Sequence, residues 1–421
     1  MNDENNLSSV FDKDIESFEA AASGGAGDAN KRSGEADVDL DAKMEAAIAN
    51  AQGTRPKLAL PNYSAKDYFL NGTWDEHQKE FQKTKPIYTG FAEMDAIQPL
   101  YAGFYVLGAM SSIGKTTFLH QMGDQIAEQG TPVLYFSFEQ TAHEMFAKSI
   151  SRRIRIAKDD PNHAAYHLYT AIGIRSGVAN NTQELAEQID AYTQAVEDRM
   201  HVIECNMYTT VEDIFEVIDA FMETSKEKPV VIVDYLQVIY PTEVNGRVDT
   251  DQRFNTDHIV TALKQYQKDH GLVVFAICSL NRTNYTAPVD MESFKESSKI
   301  EYCADTVIGL NFALIFDKDF ETKKVGKSNK DTSVTDKRVM LALAKKASVR
   351  DIILKTVKNR SGCASYSVYF QYEAAYDYFS KGSPIAYAIH KKQLEEEATA
   401  ERDGSLSVDL VSDDSDDDTD D

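Results

Sequence analysis

The amino-acid sequence predicts an α/β protein with a doubly wound, mostly parallel sheet, and three observations support this fold class. Short apolar runs alternate with amphipathic stretches of helical length along most of the chain, which is typical of a parallel sheet covered by helices. A loop of small residues separates an early apolar run from the amphipathic stretch that follows it. Both ends of the chain are acidic and poor in apolar residues. We therefore expect one central domain of about 300 residues between two disordered tails.

The loop of small residues lies within residues 103–117 and has the composition of a phosphate-binding loop. Apolar residues 104–107 predict a buried strand before the loop, and Thr116 begins an amphipathic helix after it. The apolar face of that helix carries Leu119, Met122 and Ile126. Small residues let the backbone curl until successive N–H groups and the helix N-terminus point at one anion. This arrangement predicts a site for a nucleoside triphosphate.

Two side chains of the loop predict more specific contacts. Lys115 would reach the β- and γ-phosphates, and the Thr116 hydroxyl would bind Mg²⁺. Ala109 stands where the strict motif has glycine, a variant that the backbone tolerates while φ stays negative. A Gly-Lys-Thr turn arising by chance would not also have the strand before it and the helix after it. We therefore predict ATP and Mg²⁺ as cofactors.

The net charge of −24 comes mainly from the two ends of the 421-residue chain. Residues 1–56 carry 12 acidic and 5 basic side chains, and residues 391–421 carry 13 acidic and 3 basic ones. Self-repulsion and the scarcity of apolar side chains predict that both segments are disordered. The core between them has a net charge of only −7, so any contact with nucleic acid would come from a local cluster of basic residues.

The cysteines and the N-terminus indicate a compartment. The 4 cysteines are spread along the chain without a Cys-x-x-Cys pair, which favours thiols in a reducing cytosol over a zinc site or a disulfide framework. The first residues lack the basic and apolar stretches of a secretory signal. No uncharged apolar run approaches the ~18 residues of a membrane span. We expect a cytoplasmic protein with no membrane partner.

Acidic residues follow two of the predicted strands. Residues 132–138 form an apolar run that ends before Glu139, and residues 229–233 form another that ends before Asp234. In an open α/β sheet, ligands bind at the carboxyl ends of the strands. A carboxylate that emerges from a strand buried on both faces is typical of a magnesium ligand beside a phosphate loop. Asp234 is therefore predicted to hold the metal.

The rest of the chain continues the alternation of helices and strands. Predicted helices cover residues 142–155, 182–200, 211–222 and 256–270, and predicted strands cover residues 201–205, 272–277 and 306–310. Edge strands are predicted over residues 339–344 and 351–357, a closing hairpin over 366–372 and 376–379, and an exposed loop over 317–338. Before the first strand, residues 57–88 mix aromatic and charged side chains. This segment predicts a linker or a docking helix.

The motifs resemble those of the C-terminal motor domain of the DnaB-type replicative helicases, a branch of the RecA-like ATPases. They are Thr89-Gly-Phe-x-x-Met94-Asp, Ala109-x-x-x-x-Gly-Lys-Thr116, Phe136-Ser-Phe-Glu139, Asp234-Tyr-Leu-Gln237, Ser279-Leu-Asn-Arg282, Lys295-Glu-Ser-Ser298 with Ile300-Glu301 and Ala304-Asp305, and Lys358-Asn-Arg360. Most of these motifs are short, but their order and spacing together are specific. The resemblance covers residues 89–379, and we expect the ATPase domain to span residues 89–390.

The resemblance implies a ring, usually of six subunits, that hydrolyses nucleoside triphosphate at subunit interfaces and moves along single-stranded DNA. Nucleotide contacts would come from Ala109, Ser111, Ser112, Ile113, Gly114, Lys115, Thr116, Thr117, Gln237 and Ser279. Thr116 and Asp234 would hold Mg²⁺, and Glu139 would orient or activate the attacking water. Because Tyr235 follows Asp234, no carboxylate directly beside the metal ligand is available as the base.

The resemblance also implies roles for residues outside the nucleotide motifs. Lys358 and Arg360 match a pair that reaches into the neighbouring subunit's site, where the arginine neutralises charge on the transferring phosphoryl group. DNA contacts would come from Arg282, Lys295, Glu296 and Ser298. Lysine, serine and backbone N–H groups suit phosphate and carry no sequence preference. From the residues alone, the favoured interpretation of Lys295 is a solvated charge on a loop, and the resemblance is what favours DNA contact.

The sequence departs from the family pattern in two places. Ser279 stands where the family usually has a glutamine that senses the γ-phosphate. Only 88 residues precede the match, whereas the family usually has a helical domain there that meets primase and loader. Ring assembly, loading and primase contact would then differ, as in a phage or mobile-element helicase.

These departures keep a second class of function open. The alternative is a RecA-fold ATPase that acts as a nucleotide-gated switch or loader and binds DNA or protein without processive unwinding. A third class is a structural component that binds nucleotide without turnover. The presence of both Glu139 and Arg360 argues against that third class.

Overall fold

The computed structural model describes residues 64–83, 85–158, 168–180, 182–241, 252–280, 287–294, 298–317, 337–363 and 365–402, and the structural statements below concern these residues. The chain divides into two compact units at residue 84. The first unit contributes residues 64–83 to the described part, and the second contributes the remainder. The acidic segment over residues 1–56 lies outside the described residues.

The described part of the first unit is a pair of short helices, α1 (Ala65–Leu70) and α2 (Thr73–Lys83). Tyr68 in α1 and His77 in α2 share a hydrogen bond of 2.9 Å between the tyrosine hydroxyl and Nδ1 of the histidine. The segment predicted as a linker or a docking helix therefore contains two helices.

The second unit is built around a nine-stranded sheet in the order β3-β2-β4-β5-β1-β6-β7-β8-β9. The strands are β1 (Gly103–Ala109), β2 (Val133–Ser137), β3 (Met200–Glu204), β4 (Val230–Asp234), β5 (Val273–Ser279), β6 (Thr306–Phe312), β7 (Val349–Asn359), β8 (Ser367–Glu373) and β9 (Tyr378–Lys381). The strands from β3 to β6 in this order pair in parallel, and β7, β8 and β9 extend the sheet by antiparallel pairing. The doubly wound, mostly parallel sheet predicted from the sequence is confirmed.

The register of the parallel strands brings their carboxyl ends together. Ala109 at the end of β1 pairs with Ser279 of β5, and Ser137 at the end of β2 pairs with Asp234 of β4. Residues that follow these four strands therefore meet at one edge of the sheet, which we call the carboxyl edge. Ligands bind at this edge in open α/β sheets.

Helices accompany the sheet through the second unit. They are α3 (Ala92–Asp95), α4 (Lys115–Glu128), α5 (Ala142–Ala157), α6 (Ala171–Arg175), α7 (Gln183–Val196), α8 (Val211–Ser225), α9 (Gln252–His270), α10 (Ser298–Cys303), α11 (Lys337–Lys346) and α12 (Pro384–Arg402). Thr141 and Glu144 form a capping box that starts α5, and Thr210 and Asp213 form another that starts α8. Within the described ranges, no helix combines the length and the apolar character that crossing a membrane requires.

Two hydrophobic cores form in the second unit because successive residues of a strand point to opposite faces of the sheet. In β1, Tyr105 and Leu107 belong to one cluster, and Phe104 and Val106 belong to the other. Every residue of β1 is buried, which explains why this strand reads as a continuous apolar run. Burial on both faces therefore holds β1 in place, and with it the start of the loop that follows.

The structure corrects two predictions of edge strands. Residues 339–344 lie in helix α11 (Lys337–Lys346) rather than in a strand. Met340 and Ala344, four residues apart, are both buried, and a short alternating run can satisfy this helical spacing as well as that of a strand. The strand predicted over residues 351–357 exists as β7, but it lies between β6 and β8 and is not at an edge.

The C-terminal helix corrects the predicted boundary of the acidic tail. Helix α12 (Pro384–Arg402) enters the segment 391–421, so the prediction of disorder is wrong for residues 391–402. Tyr387, Leu394 and Ala398 pack against the core at helical spacing. This apolar stripe has a period near 3.6 residues, as in a helix that packs on a core. The prediction missed it because most residues around the stripe are charged. The residues after 402, like most of the loop predicted over 317–338, lie outside the described part.

Candidate functional site

The phosphate loop connects β1 to α4 and contains two residues with positive φ. Ser112 has a φ of 62° and Gly114 has a φ of 101°. A Cβ atom on Gly114 would also lie 2.9 Å from Tyr372 and 3.0 Å from Phe379, so the backbone angle and the surrounding space both require glycine. Helix α4 begins at the next residue, Lys115, and the first N–H groups of a helix have no partner within it. These groups are available to an anion in the loop.

The ammonium group of Lys115 lies inside the loop. Its Nζ donates hydrogen bonds to the carbonyl oxygens of Ala109 and Met110, each at 3.1 Å. Burial lowers the pKa of Lys115, while the charges of Asp234 and Glu139 act in the opposite direction. Because hydrogen bonds from an ammonium group to phosphate are stronger than those to carbonyl oxygens, a triphosphate in the loop would take over these contacts.

Asp234 ends β4 and is 3% exposed. Its Oδ2 accepts a hydrogen bond of 2.8 Å from the Tyr135 hydroxyl, and the carboxylate also accepts one from the Thr116 hydroxyl. Burial raises the pKa of Asp234, whereas these two hydrogen bonds and the charge of Lys115 oppose the rise. Hydroxyl and carboxylate oxygens are the ligands that Mg²⁺ prefers. Thr116 and Asp234 therefore fit the predicted metal.

Glu139 follows β2 at the carboxyl edge, and its exposed side chain lines the same cavity as the phosphate loop. Partial burial by the cavity walls raises the pKa of Glu139, the charge of Asp234 raises it further, and Lys115 lowers it. A carboxylate with a raised pKa is a stronger base for accepting a proton from water. The position of Glu139 therefore suits the role that the sequence predicts.

These groups line one cavity of about 810 Å³, a volume typical of small-molecule sites. Of the predicted nucleotide and metal contacts, the cavity is lined by Ala109, Ser111, Ser112, Gly114, Lys115, Thr116, Thr117, Ser279 and Asp234. Ile113 is fully buried in the core instead. The Gln237 amide is bonded to Cys278 Sγ at 3.1 Å and to the Ser279 N–H at 3.3 Å, so it holds the end of β5 and is not part of the lining.

The cavity also contains residues that sequence reasoning missed, namely Gln140, Lys148, Tyr235, Leu280, Tyr372 and Asp377. Asp377, in the turn before β9, accepts a hydrogen bond of 2.7 Å from the Thr117 hydroxyl and pairs with Lys148 Nζ at 3.2 Å. Lys148 could have been found from the sequence. Thr141 is a recognisable N-cap of α5, and Lys148 lies about two helical turns after it, which places it near the nucleotide cavity. No local signal brings Tyr372 and Asp377 to the phosphate loop, because their position depends on how the last strands fold back.

A buried polar network joins α4 to α5. Asp124 Oδ2 accepts hydrogen bonds from the Ser149 hydroxyl at 2.7 Å and from the Arg152 guanidinium. Arg152 also donates to the carbonyl oxygen of Asp377 at 3.0 Å. Burial lowers the pKa of the neighbouring His120 to about 4, so its imidazole is neutral at pH 7. Through Arg152, this network connects the helix after the phosphate loop to the turn that lines the cavity.

Lys358 and Arg360 do not line this cavity. The end of β7 pairs with Thr306 at the start of β6, and Thr306 pairs with Tyr105 near the start of β1. Ala109 lies four residues further along β1, about 13 Å away at roughly 3.3 Å per residue. The pair therefore lies toward the opposite edge of the sheet, which we call the amino edge. It does not reach the phosphate loop of its own chain.

The predicted DNA contacts lie mainly outside the described residues. Arg282, Lys295 and Glu296 are among those residues, and Ser298 is described only as the first residue of α10. Phe294, just before this segment, forms an isolated bridge with Leu280 after β5. The chain therefore enters the segment from the carboxyl edge of the sheet, and DNA contact by these residues stays a prediction.

The parallel sheet, the phosphate loop after its first strand and the carboxylates at the carboxyl edge define a RecA-like P-loop ATPase domain. A sequence profile of the DnaB-like helicase C terminal domain matches residues 86–381. The chain belongs to this family.

Two characterised relatives are similar to the chain at low identity. The replicative DNA helicase DnaB of Helicobacter pylori strain J99 is 22% identical over 322 residues, which cover 73% of this chain and 62% of that protein. The replicative DNA helicase DnaB of strain 26695 is 22% identical over 305 residues, which cover 68% of this chain and 58% of that protein. The chain thus spans about three fifths of the length of the curated relatives it matches.

Two solved structures share the fold. An ATPase domain superimposes with a TM-score of 0.56 at 18% identity, covering 76% of this chain and 100% of that domain. A DnaB-like replicative helicase, described with its interactions with primase, superimposes with a TM-score of 0.56 at 17% identity, covering 82% of this chain and 72% of the helicase. These likenesses support the RecA-like fold.

Proposed function

We propose that this protein is an ATP-dependent DNA helicase motor that translocates on single-stranded DNA during replication. The observation that carries the proposal is the division of the catalytic groups between two edges of the sheet. Lys115, Thr116, Glu139 and Asp234 share the cavity at the carboxyl edge, whereas Lys358 and Arg360 lie toward the amino edge. A second copy of the chain has to bring its own pair to this cavity to complete the site. Membership of the DnaB-like helicase family supports this arrangement.

The proposed hydrolysis follows from the chemistry of these residues. Lys115 binds the β- and γ-phosphates, and Thr116 and Asp234 hold Mg²⁺, which when bound neutralises charge on the phosphate oxygens. Glu139 accepts a proton from the attacking water. Arg360 of a second copy stabilises the charge that develops on the transferring phosphoryl group. Hydrolysis then takes place only where two copies meet.

We further propose that the copies form a ring of six around single-stranded DNA, with Arg282, Lys295, Glu296 and Ser298 facing the DNA backbone. Helices α1 and α2 offer a docking surface for a neighbouring subunit, because Phe69 and Phe81 are each 60% exposed and exposed aromatic side chains favour burial at an interface. A primase or a loader is a further proposed partner. The solved relative described with primase supports that choice.

Strand displacement tests the proposal. The protein with ATP and Mg²⁺ is expected to release a labelled strand from a forked duplex. Lys115→Ala is expected to abolish both hydrolysis and displacement, because it removes the charge that binds the phosphates without changing the core. The thermal unfolding midpoint serves as the check on folding. A normally folded Lys115→Ala variant with near-native turnover would contradict the assignment of the site.

One observation favours a second candidate function, a nucleotide-gated switch or loader. Ser279 lines the cavity at the end of β5, and its side chain is shorter than the glutamine expected there from the family pattern. If Ser279 senses the γ-phosphate weakly, hydrolysis would no longer be coupled to movement on DNA. DNA-stimulated hydrolysis without displacement of either strand of the fork would favour this function over the motor.

A further inference from the structure

A charged cluster at the amino edge of the sheet contains Lys358 and Arg360 together with residues that have no assigned part in the hydrolysis described above. Asp305 lies at its centre. Its Oδ2 accepts hydrogen bonds from the Phe104 N–H at 2.8 Å and from Lys264 Nζ at 2.6 Å, and its Oδ1 accepts one from Arg360 Nη1 at 3.4 Å. The backbone N–H of Asp305 donates to the Phe104 carbonyl at 2.8 Å, and its carbonyl accepts from the Arg360 N–H at 2.9 Å. Asp305 therefore connects the start of β1, helix α9 and the end of β7.

Carbonyl groups at the end of α10 contact Lys358 of β7 and Arg360, which follows β7, from a second side. Lys358 Nζ donates to the carbonyl oxygens of Glu301 and Ala304, the latter at 2.7 Å. The Arg360 guanidinium donates to the carbonyl oxygen of Tyr302. The unpaired carbonyl groups at the C-terminus of a helix favour cations. Both cations are thus anchored, yet the Arg360 side chain remains 48% exposed.

The two carboxylate oxygens of Asp305 have different partners, and this explains how Asp305 can orient an arginine. Phe104 and Lys264 occupy Oδ2, which fixes the plane of the carboxylate and leaves Oδ1 directed to Arg360. The Tyr302 carbonyl restrains the guanidinium from another direction. A free arginine samples many rotamers, and an error of about 1 Å in the position of a catalytic group is enough to slow a reaction markedly. These restraints place the guanidinium at the surface before a neighbour arrives.

We propose that Asp305 is the positioning residue that aligns Arg360 for the nucleotide held by the neighbouring subunit. The inference rests on the proposed function, in which Arg360 acts on that nucleotide. Asp305 contacts neither nucleotide nor metal in its own chain, since it lies toward the amino edge and outside the cavity lining. Its effect on turnover therefore has to act through Arg360.

The substitution Asp305→Asn tests this role with little change in shape. The amide has one acceptor oxygen, and the Phe104 N–H and Lys264 compete for it, so the amide NH₂ group is left facing the guanidinium. Arg360 then loses the carboxylate as an acceptor, while its hydrogen bond to the Tyr302 carbonyl and the backbone contacts of residue 305 remain. We expect the kcat for ATP to fall about tenfold or more, with KM changed less than about threefold, because the variant's own cavity is intact.

Mixed assemblies separate an effect on the neighbour from an effect on the variant's own site. Lys115→Ala chains have a defective nucleotide site and a normally aligned Arg360. Asp305→Asn chains have an intact nucleotide site and a misaligned Arg360. Mixing the two is expected to restore hydrolysis, because the nucleotide site of an Asp305→Asn chain can meet the arginine of a Lys115→Ala chain. A mixture of Arg360→Ala and Lys115→Ala chains serves as the reference for a shared site.

The possible outcomes separate the two proposals. Recovery in both mixtures supports the role of Asp305. Recovery in the reference mixture alone, or a native kcat for Asp305→Asn, overturns that role and leaves the shared site intact. Absence of recovery in the reference mixture overturns the shared site and the inference with it. Asp269→Asn is the matched control, because Asp269 lies on α9 in an exposed position, where its Oδ1 accepts a hydrogen bond of 2.8 Å from the Gln265 side chain four residues earlier, and it is expected to behave like the native chain.

Discussion

Two glutamates near the start of α5 have different surroundings. Glu139 lines the nucleotide cavity beside Asp234 and Lys115. Glu144 closes the capping box with Thr141 and forms an ion pair with Arg175. Both carboxylate oxygens of Glu144 are thus engaged, and Glu144 is not part of the cavity lining. The structure therefore favours Glu139 over Glu144 as the group that activates water.

Replacing each glutamate in turn checks this distinction. Glu139→Gln is expected to bind nucleotide normally and to turn it over very slowly, because the amide keeps the shape and loses the basicity. Glu144→Gln is the control and is expected to keep native turnover, since glutamine also completes a capping box. Steady-state hydrolysis and nucleotide binding are the measurements. A fall of only a few-fold in Glu139→Gln would move the role to another carboxylate.

The hydroxyl of Tyr135 donates a hydrogen bond of 2.8 Å to Asp234 and favours the ionised form of the carboxylate. Burial already raises the pKa of Asp234, and the hydrogen bond from Tyr135 opposes that rise by favouring the ionised form. Tyr135→Phe removes this donor, so the pKa of Asp234 is expected to rise further.

The pH profile of kcat/KM measures this effect. On the proposed function, the ionised carboxylate is the form that would hold Mg²⁺, so the acid limb is expected to move to higher pH in Tyr135→Phe while the alkaline limb stays in place. Tyr105→Phe is the control, because the Tyr105 hydroxyl donates to the Tyr101 carbonyl and does not contact Asp234. An unchanged acid limb in Tyr135→Phe would show that Asp234 does not limit activity at low pH.

The sequence predicts those site residues that are fixed by local structure. Lys115 and Thr116 belong to a contiguous loop, and Glu139 and Asp234 stand directly after apolar runs, so the edge of the sheet at which they meet follows from parallel pairing. Asp377 cannot be found in this way. It reaches Thr117 only because β8 and β9 fold back against the phosphate loop, which no local pattern encodes.

At the scale of elements, buried strands are predicted better than the helices near the C-terminus. Strand β4 is apolar from Val230 to Val233, up to the terminal Asp234, because both of its faces are covered. Helix α11 was predicted as a strand because its short apolar run fits both periods. The sequence prediction contains no helix over residues 384–402 and assigns the second half of α12 to the disordered tail, because charged residues there outnumber the few apolar ones that contact the core.

Helix α12 is expected to be a structural part of the ATPase domain. Its Tyr387 and Leu394 pack against the core, and His390 pairs with Asp351 of β7 at 2.8 Å. Deleting residues 384–421 is expected to lower the free energy of unfolding by about 3 kcal/mol or more, since burying a large apolar side chain contributes about 1.5–3 kcal/mol. Deleting residues 404–421 is the control and should leave the unfolding midpoint unchanged. Equal midpoints for the two truncated proteins would mean that α12 contributes little to stability.

At the scale of the whole molecule, charge is distributed unevenly. The segment 391–421 has 13 acidic and 3 basic side chains, whereas the core between the two acidic ends has a net charge of only −7. We propose that this anionic segment competes with DNA for the basic residues of the domain. A solubilising role, or the docking of a basic partner, is the alternative, and neither affects DNA affinity.

A salt series distinguishes these roles of the acidic segment. Deleting residues 404–421 is expected to tighten binding to single-stranded DNA at low salt, and the gain should shrink as salt rises, because salt screens charge over about 10 Å at 0.1 M. Fluorescence anisotropy of a labelled oligonucleotide gives the affinities. Equal affinities for the full-length and truncated proteins across the series would leave only the alternative roles.

Because the two parts of the proposed site lie at opposite edges of the sheet, copies of the chain would associate head to tail. A contact between the carboxyl edge of one copy and the amino edge of the next is heterologous, so it either closes into a ring or continues as a helical filament. On the shared-site proposal, an open arc has one complete site fewer than it has subunits, whereas a closed ring has as many sites as subunits. The turnover rate per chain is therefore proportional to the number of interfaces per subunit. It is expected to rise when the last interface forms and the ring closes.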